Sequence, residues 1–250
     1  MLLSLSTWCD VETYLERSRT ILVPIGSMEQ HGPTGLIGTD ALCPQIIAEA
    51  AAKDDPAILV GPTFNVGCAQ HHLGFPGSIT LRPSTMIAAI ADWSASLRRH
   101  GFKRIYWLNG HGGNIATIAA AFAEVYAERS LSGPDSAVAP LTMRQRNWWD
   151  LPGVMAVCKR LHPSNDGSHA TASEVAVTYA AYPDQQRDRT LTPPVAPSGG
   201  FTDAEDYRKR FPDGRIGSDP SQATVDGGQQ IIDAAARALR EDFARFDRGD

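Results

Sequence analysis

Pro24-Ile-Gly-Ser-Met-Glu-Gln-His-Gly-Pro-Thr-Gly-Leu-Ile-Gly-Thr-Asp40 follows directly on the apolar run Thr20-Ile-Leu-Val-Pro-Ile25, and that change of character is the most informative boundary in the chain. The apolar run reads as a buried strand. Beyond it, Glu29, His31 and Asp40 lie among closely spaced glycines and prolines. Residues i and i+2 of an extended backbone point to the same side, which pairs Glu29 with His31. Gly32, Pro33, Gly35 and Gly38 permit the tight path that folds Asp40 back towards them. Two carboxylates and an imidazole converging at a strand end suit a divalent metal. Each residue also has a plainer reading: Glu29 as a solvated loop residue, His31 as a donor to a backbone carbonyl, and Asp40 as the N-cap of the helical pattern that follows it.

Composition limits the alternatives. The chain has 250 residues, 42% hydrophobic and 20% charged, as in ordinary globular proteins. A net charge of −5 without basic runs argues against nucleic acid or an anionic membrane as the main partner. No stretch approaches the ~20 apolar residues of a membrane span, and the start of the chain makes a poor signal peptide. Cys9, Cys43, Cys68 and Cys158 are scattered without a C-x-x-C pair, which fits free thiols in a reducing cytoplasm.

Further along, 57–64, 103–108 and 136–143 read as strands. Helices are expected near 10–18, 41–53, 84–97 (capped by Ser84), 115–126, 171–182 and up to 246. Strands alternating with helices argue for a parallel sheet covered on both faces, in which sites gather at the carboxyl ends of strands. His111, in Asn109-Gly-His-Gly-Gly-Asn114, occupies that position on a second strand. The same junction would also suit an anion at a helix N-terminus, but both G-x-G-x-x-G and G-x-x-x-x-G-K-[ST] are missing. His71 and His72 lie in a long polar loop, and an extended backbone there would turn only one of them towards any site. Of Trp148 and Trp149, one suits the core and the other a pocket for a flat substrate. Thr171-Ala-Ser-Glu174 matches a capping box, the plain reading of Glu174. Residues 184–220, rich in Pro, Gly and charge, read as an irregular excursion. No repeat or boundary divides the chain, so 1–250 reads as one domain.

Five blocks in order resemble the creatininase (creatinine amidohydrolase) family: Gly26-Ser-Met-Glu-Gln-His-Gly-Pro33 with Gly38-Thr-Asp40, Phe75-Pro-Gly-Ser-Ile-Thr-Leu81, Asn109-Gly-His-Gly-Gly-Asn114, His169-Ala-Thr-Ala-Ser-Glu174, and Gly217-Ser-Asp-Pro-Ser-Gln-Ala-Thr224. The resemblance implies a three-layer α/β/α sandwich with a mostly parallel central sheet and two divalent ions (Zn²⁺, Mn²⁺ or Fe²⁺). Glu29, Asp40 and His111 would hold one ion. His31, Asp40 and Glu174 would hold the other, with Asp40 bridging. A water activated between the ions would attack an amide carbon of a small cyclic amide or formamide. His169 would protonate the leaving nitrogen, with Glu174 also at the catalytic centre. Trp148, Trp149, His72 and Asn114 are the candidates to contact a small-molecule substrate. A metallopeptidase trimming a short peptide, as in mycofactocin maturation, is the alternative on the same scaffold. The family's assemblies imply a homo-oligomer, often a hexamer. Two departures point away from creatinine itself: Thr34 stands where the family has a histidine, and Gly113 where creatininase has a glutamate ligand.

Overall fold

Three parallel strands carry the site: β1 (Thr20–Ile25), β2 (Arg104–Asn109) and β3 (Thr142–Asn147), in the order β1-β2-β3. The computed structural model describes residues 1–53 and 55–250. Thr20, Arg104 and Thr142 share one row of the sheet, and Ile25, Asn109 and Asn147 share another. The chain therefore leaves all three strands at one level. The segments that follow, starting at Gly26, Gly110 and Trp148, emerge along a single edge.

Alternation along the strands builds two cores. Ile21, Val23, Ile25, Ile105, Trp107 and Met143 face one, covered by α1 (Trp8–Leu15), α3 (Pro83–Arg99) and α4 (Ile115–Leu131). Leu22, Tyr106 and Leu108 face the other, beneath α2 (Thr39–Lys53), α5 (Val154–Leu161), α6 (Ala172–Ala181) and α8 (Val225–Arg248). The result is the three-layer α/β/α arrangement with an open parallel sheet. Among the described residues no helix is long and apolar enough to cross a membrane.

Several boundaries differ from those expected. The segment 57–64 runs beside β1 but touches it only through isolated bridges, Leu22 to Val60 and Ile25 to Phe64. Pro62, between those bridges, has no N–H to give a ladder. The strand expected over 136–143 forms instead at Thr142–Asn147, past Pro140. As β3 is paired on one side only, it needs no continuous apolar sequence. The third long helix begins at Pro83, so Ser84 lies inside it and is not the cap. It ends at Arg99, capped by His100, with Gly101 in the left-handed region. The excursion contains a helix, α7 (Ala204–Arg210). It folds back onto the site through a bridge between His169 and Ile216.

Two contacts fix the sheet to its helices. The Tyr106 hydroxyl donates to Asp242 of α8 at 2.6 Å, and Arg146 and Arg245 also reach that carboxylate. At the site end, α2 starts between two glycines. A Cβ at Gly26 or Gly110 would come within 2.1 or 2.0 Å of the Asp40 carbonyl oxygen. Both positions therefore admit the helix start only because they have no side chain.

Asp242→Asn should destabilise the fold by roughly 1.5–3 kcal/mol at neutral pH, the usual size for hydrogen bonds to a charged group. Burial raises the Asp242 carboxyl, but Tyr106 and the two arginines outweigh this and hold it below the ordinary aspartate value. Its stabilisation is thus complete above that ordinary value and is lost as pH falls through the depressed one. Urea denaturation should show the wild-type advantage shrinking below about pH 4, and a pH-independent difference would refute the ionic account. Gly110→Ala should cost about 1–3 kcal/mol, as overpacking does. Unchanged stability would show that α2 accommodates the methyl group.

Candidate metal centre

Glu29 and His31 stand on the loop after β1, two residues apart and fully buried. The loop is pinned where the Glu29 N–H meets the Ile37 carbonyl at 2.9 Å. Asp40 lies in the first turn of α2, and its side chain turns to the histidines instead of capping the helix. His111 follows β2, held by Asn109, which donates from its side-chain amide to the His111 carbonyl and accepts from the His111 N–H. His169 precedes α6, and Glu174 lies in that helix's first turn. His72 comes from a 3-10 turn, Gln70–His72.

Backbone carbonyls fix two of the rings. His31 Nδ1 is 3.1 Å from the Glu29 carbonyl and His111 Nε2 is 3.0 Å from that of Cys68. A carbonyl only accepts, so these nitrogens carry protons, and His31 Nε2 and His111 Nδ1 are the positions open to a metal or a second proton. Those positions face carboxylates. His31 Nε2 is 3.0 Å from Asp40 Oδ1 and 3.8 Å from Glu174 Oε1, while His111 Nδ1 is 2.7 Å from Asp40 Oδ2 and 3.3 Å from Glu29 Oε2. Both Glu29 oxygens and Asp40 Oδ2 are fully buried and face imidazole nitrogens: His72 Nε2 lies beside Glu29 Oε1, and His111 Nδ1 lies beside Glu29 Oε2 and Asp40 Oδ2. Carboxylates and imidazoles crowded together in a dry site fit cations.

The same crowding distorts proton affinities. Burial opposes charge on His31, yet Asp40, Glu174 and Glu29 together raise it to about 10. Burial likewise opposes charge on His111, but Glu29 and Asp40 raise it to about 9. Burial pushes Glu29 up to about 8 and Glu174 to about 7. Asp40 resists its own burial and stays well below the ordinary range, held there by the two imidazoles. A cation bound here would compete with protons for His31, His111 and Glu29. Burial and neighbouring rings keep His72 and His169 neutral.

Among the described residues, two donor sets have ligand atoms within 4.8 Å of one another: Glu29–His31–Asp40 and Glu29–His72–His169. Glu174 keeps its capping box, accepting from the Thr171 N–H at 2.6 Å, while the same oxygen faces His31. A side chain at Gly113 would meet His111 Nε2 at 2.3 Å and the Cys68 carbonyl at 2.8 Å, so this backbone has no room for one there.

A cavity of ≈720 Å³ opens over the centre, and Trp148, Trp149, His71, His72, Phe201 and Tyr207 are among its walls. Both adjacent histidines take part, against expectation, because the 3-10 turn sets their rings 4.2 Å apart, tilted by 49°, where an extended chain would separate them. Both tryptophans also line it, although Trp148 is buried. Asn114 does not line it. Its amide accepts from Cys68 N–H and donates to the Gly26 carbonyl, so the expectation of a substrate contact at Asn114 is corrected to a backbone tie. Thr34 is buried and does not line the cavity either, so the departure there does not shape its wall. Gln30, Tyr207 and Ser218 are contributors that sequence reasoning missed. Gln30 stood between two proposed ligands, which was a usable signal. Tyr207 lay in the irregular excursion, where nothing marked it, and Ser218 lay in the last of the five blocks, which marked the stretch but not the contact it makes.

A sequence model of the Creatininase family (creatinine amidohydrolase) matches residues 4–243. The chain is 27% identical to the creatinine amidohydrolase of Pseudomonas putida over 252 residues, 95% of each chain. It is 33% identical to the mycofactocin precursor peptide peptidase of Mycolicibacterium smegmatis over 108 residues, which take in 41% of this chain and 43% of that relative. A solved creatininase structure described with manganese superposes at a TM-score of 0.86 and 23% identity, covering 98% of both chains, and so shares the fold. With the family match spanning nearly the whole length, the chain belongs to the creatininase family.

Proposed function

We propose that the chain is a metal-dependent amidohydrolase that holds two divalent ions and cleaves the C–N bond of a small cyclic amide or formamide. The observation that carries this reading is the division of Asp40, with Oδ1 turned to His31 and Oδ2 to His111. Glu29, Asp40 and His111 would hold one ion and His31, Asp40 and Glu174 the other. Carboxylates and imidazoles without thiolates suit zinc, manganese or iron. Bound divalent ions supply a lowered water pKa and a polarised carbonyl oxygen.

The chain's own groups do the rest. His169 Nε2 is 2.8 Å from the Gln30 carbonyl, which leaves Nδ1 free, 3.6 Å from Glu29 Oε1. From there His169 takes up a proton at Nδ1 as the amide carbon is attacked and delivers it to the leaving nitrogen. Trp148 and Trp149, edge to face at 5.8 Å, offer an apolar wall to a flat ring. The peptidase reading draws on one observation, the cavity volume. At ≈720 Å³ it falls in the ~300–1,000 Å³ range that encloses drug-sized ligands and would also admit the end of a short peptide.

Protein purified without chelator should carry about two equivalents of metal; a metal-free preparation that cannot be loaded would sink the proposal. Asp40→Ala should lose both ions, whereas retention of both would refute the bridge. His169→Ala should keep its metal while turnover falls by ~10²–10⁴, and unchanged turnover would remove its proton-transfer role. Cyclic ureides, lactams, formamides and short peptides offered to the metal-loaded protein decide the substrate class. Turnover confined to peptides would replace the small-amide reading with the peptidase one.

A further inference from the structure

Gln30 lies between the proposed ligands Glu29 and His31, yet its side chain turns away from the Asp40 carboxylate and makes contacts that determine where other protons sit. Its Oε1 accepts from the Gly32 N–H at 2.8 Å, which orients the amide. The nitrogen then faces four polar atoms: His72 Nδ1 at 2.8 Å, the Gly214 carbonyl at 2.9 Å, His169 Nε2 at 3.0 Å and the Tyr207 hydroxyl at 3.4 Å. An amide nitrogen has only two hydrogens. His169 Nε2 is no acceptor, because it donates to the Gln30 backbone carbonyl. The Tyr207 hydroxyl is the longest of the four contacts and itself donates to the Gly214 carbonyl at 2.7 Å. The two hydrogens therefore go to Gly214 and to His72 Nδ1. The approach of Gly214 depends on its lacking a side chain, since a Cβ there would come within 1.9 Å of Gln30 Oε1.

We propose that Gln30 is a positioning residue that fixes the tautomer of His72, making His72 a donor that holds Glu29 and not a metal ligand. With Nδ1 accepting, the neutral ring carries its proton on Nε2, 3.0 Å from Glu29 Oε1. That bond occupies one Glu29 oxygen and leaves Oε2 for the side facing His111. The set Glu29–His72–His169 has metal-like spacing, but one of its three members presents a proton where a ligand needs a lone pair. The same main-chain segment sets His169, whose Nε2–H is held by the Gln30 carbonyl. One residue thus orients a proposed ligand and the proposed proton carrier together. The role given to His169 rests on the hydrolase reading, whereas the tautomer of His72 does not.

Long-range ¹H–¹⁵N correlation spectra of the full chain, with labelled histidine, test this before and during zinc titration. His72 should show its proton on Nε2 and an unprotonated Nδ1, and should keep both as zinc binds. Gln30→Glu offers an acceptor in place of the N–H, so it should move the His72 proton to Nδ1 and weaken zinc binding by about 10–100-fold. A wild-type His72 protonated at Nδ1, or a zinc-induced coordination shift at its Nε2, would overturn the proposal. If Gln30→Glu does not fold, the wild-type spectra decide alone. They contain no substrate, so a chain with these tautomers that cleaves no amide would defeat the hydrolase reading and leave this inference standing.

Discussion

Two buried imidazole nitrogens, His31 Nε2 and His111 Nδ1, face the two oxygens of one buried carboxylate, that of Asp40. Such a grouping is costly in a dry interior unless positive charge joins it. The fold concentrates this cost instead of spreading it. Gly26 and Gly110 seat the start of α2 against the ends of β1 and β2, which places Asp40 between histidines that follow two different strands. The Asn109 and Asn114 amides then tie the loops around it. The groups that would bind metal also have shifted proton affinities, so metal and proton would compete for the same atoms.

The wall opposite the sheet is built from the excursion. Arg215 is fully buried there, its guanidinium bonded to Asp213 and to the carbonyls of Pro193, Pro194 and Ser218. It packs against Gly32, where an added Cβ would come within 2.6 Å of the arginine side chain. Ser218 in turn donates to the His169 carbonyl at 2.7 Å. A buried charge of this kind is tolerable because its donors are satisfied. Through these contacts a stretch with little regular structure becomes a fixed support for the segment that carries His169 and Tyr207.

The alternation of strand and helix, the apolar run before Gly26 and the glycine-bounded donors at Glu29, His31, Asp40 and His111 were legible in the sequence. Each depends on local periodicity or on chemistry concentrated in a short span. The resemblance carried by the five blocks reached further, to the family itself. Other features depended on distant pairing. The edge strand moved to Thr142–Asn147 because a strand with one neighbour tolerates polar residues, so its sequence announces little. Asn114 looked like a polar group free for substrate, yet two backbone groups far away in sequence claim its amide.

The sequence by itself determined which residue types were available and on which elements they stand, because hydrophobic periodicity and glycine placement act over a few residues. Only the tertiary structure decided how those groups are shared. It gave the two oxygens of Asp40 to different histidines and brought His71 and His72 together on a single turn. It turned Gln30 towards His72 and Gly214 from an otherwise silent position. Sharing of this kind is set by how segments from separate elements meet, from adjacent residues on one turn to Gln30 and Gly214, 184 residues apart, and no local pattern encodes it.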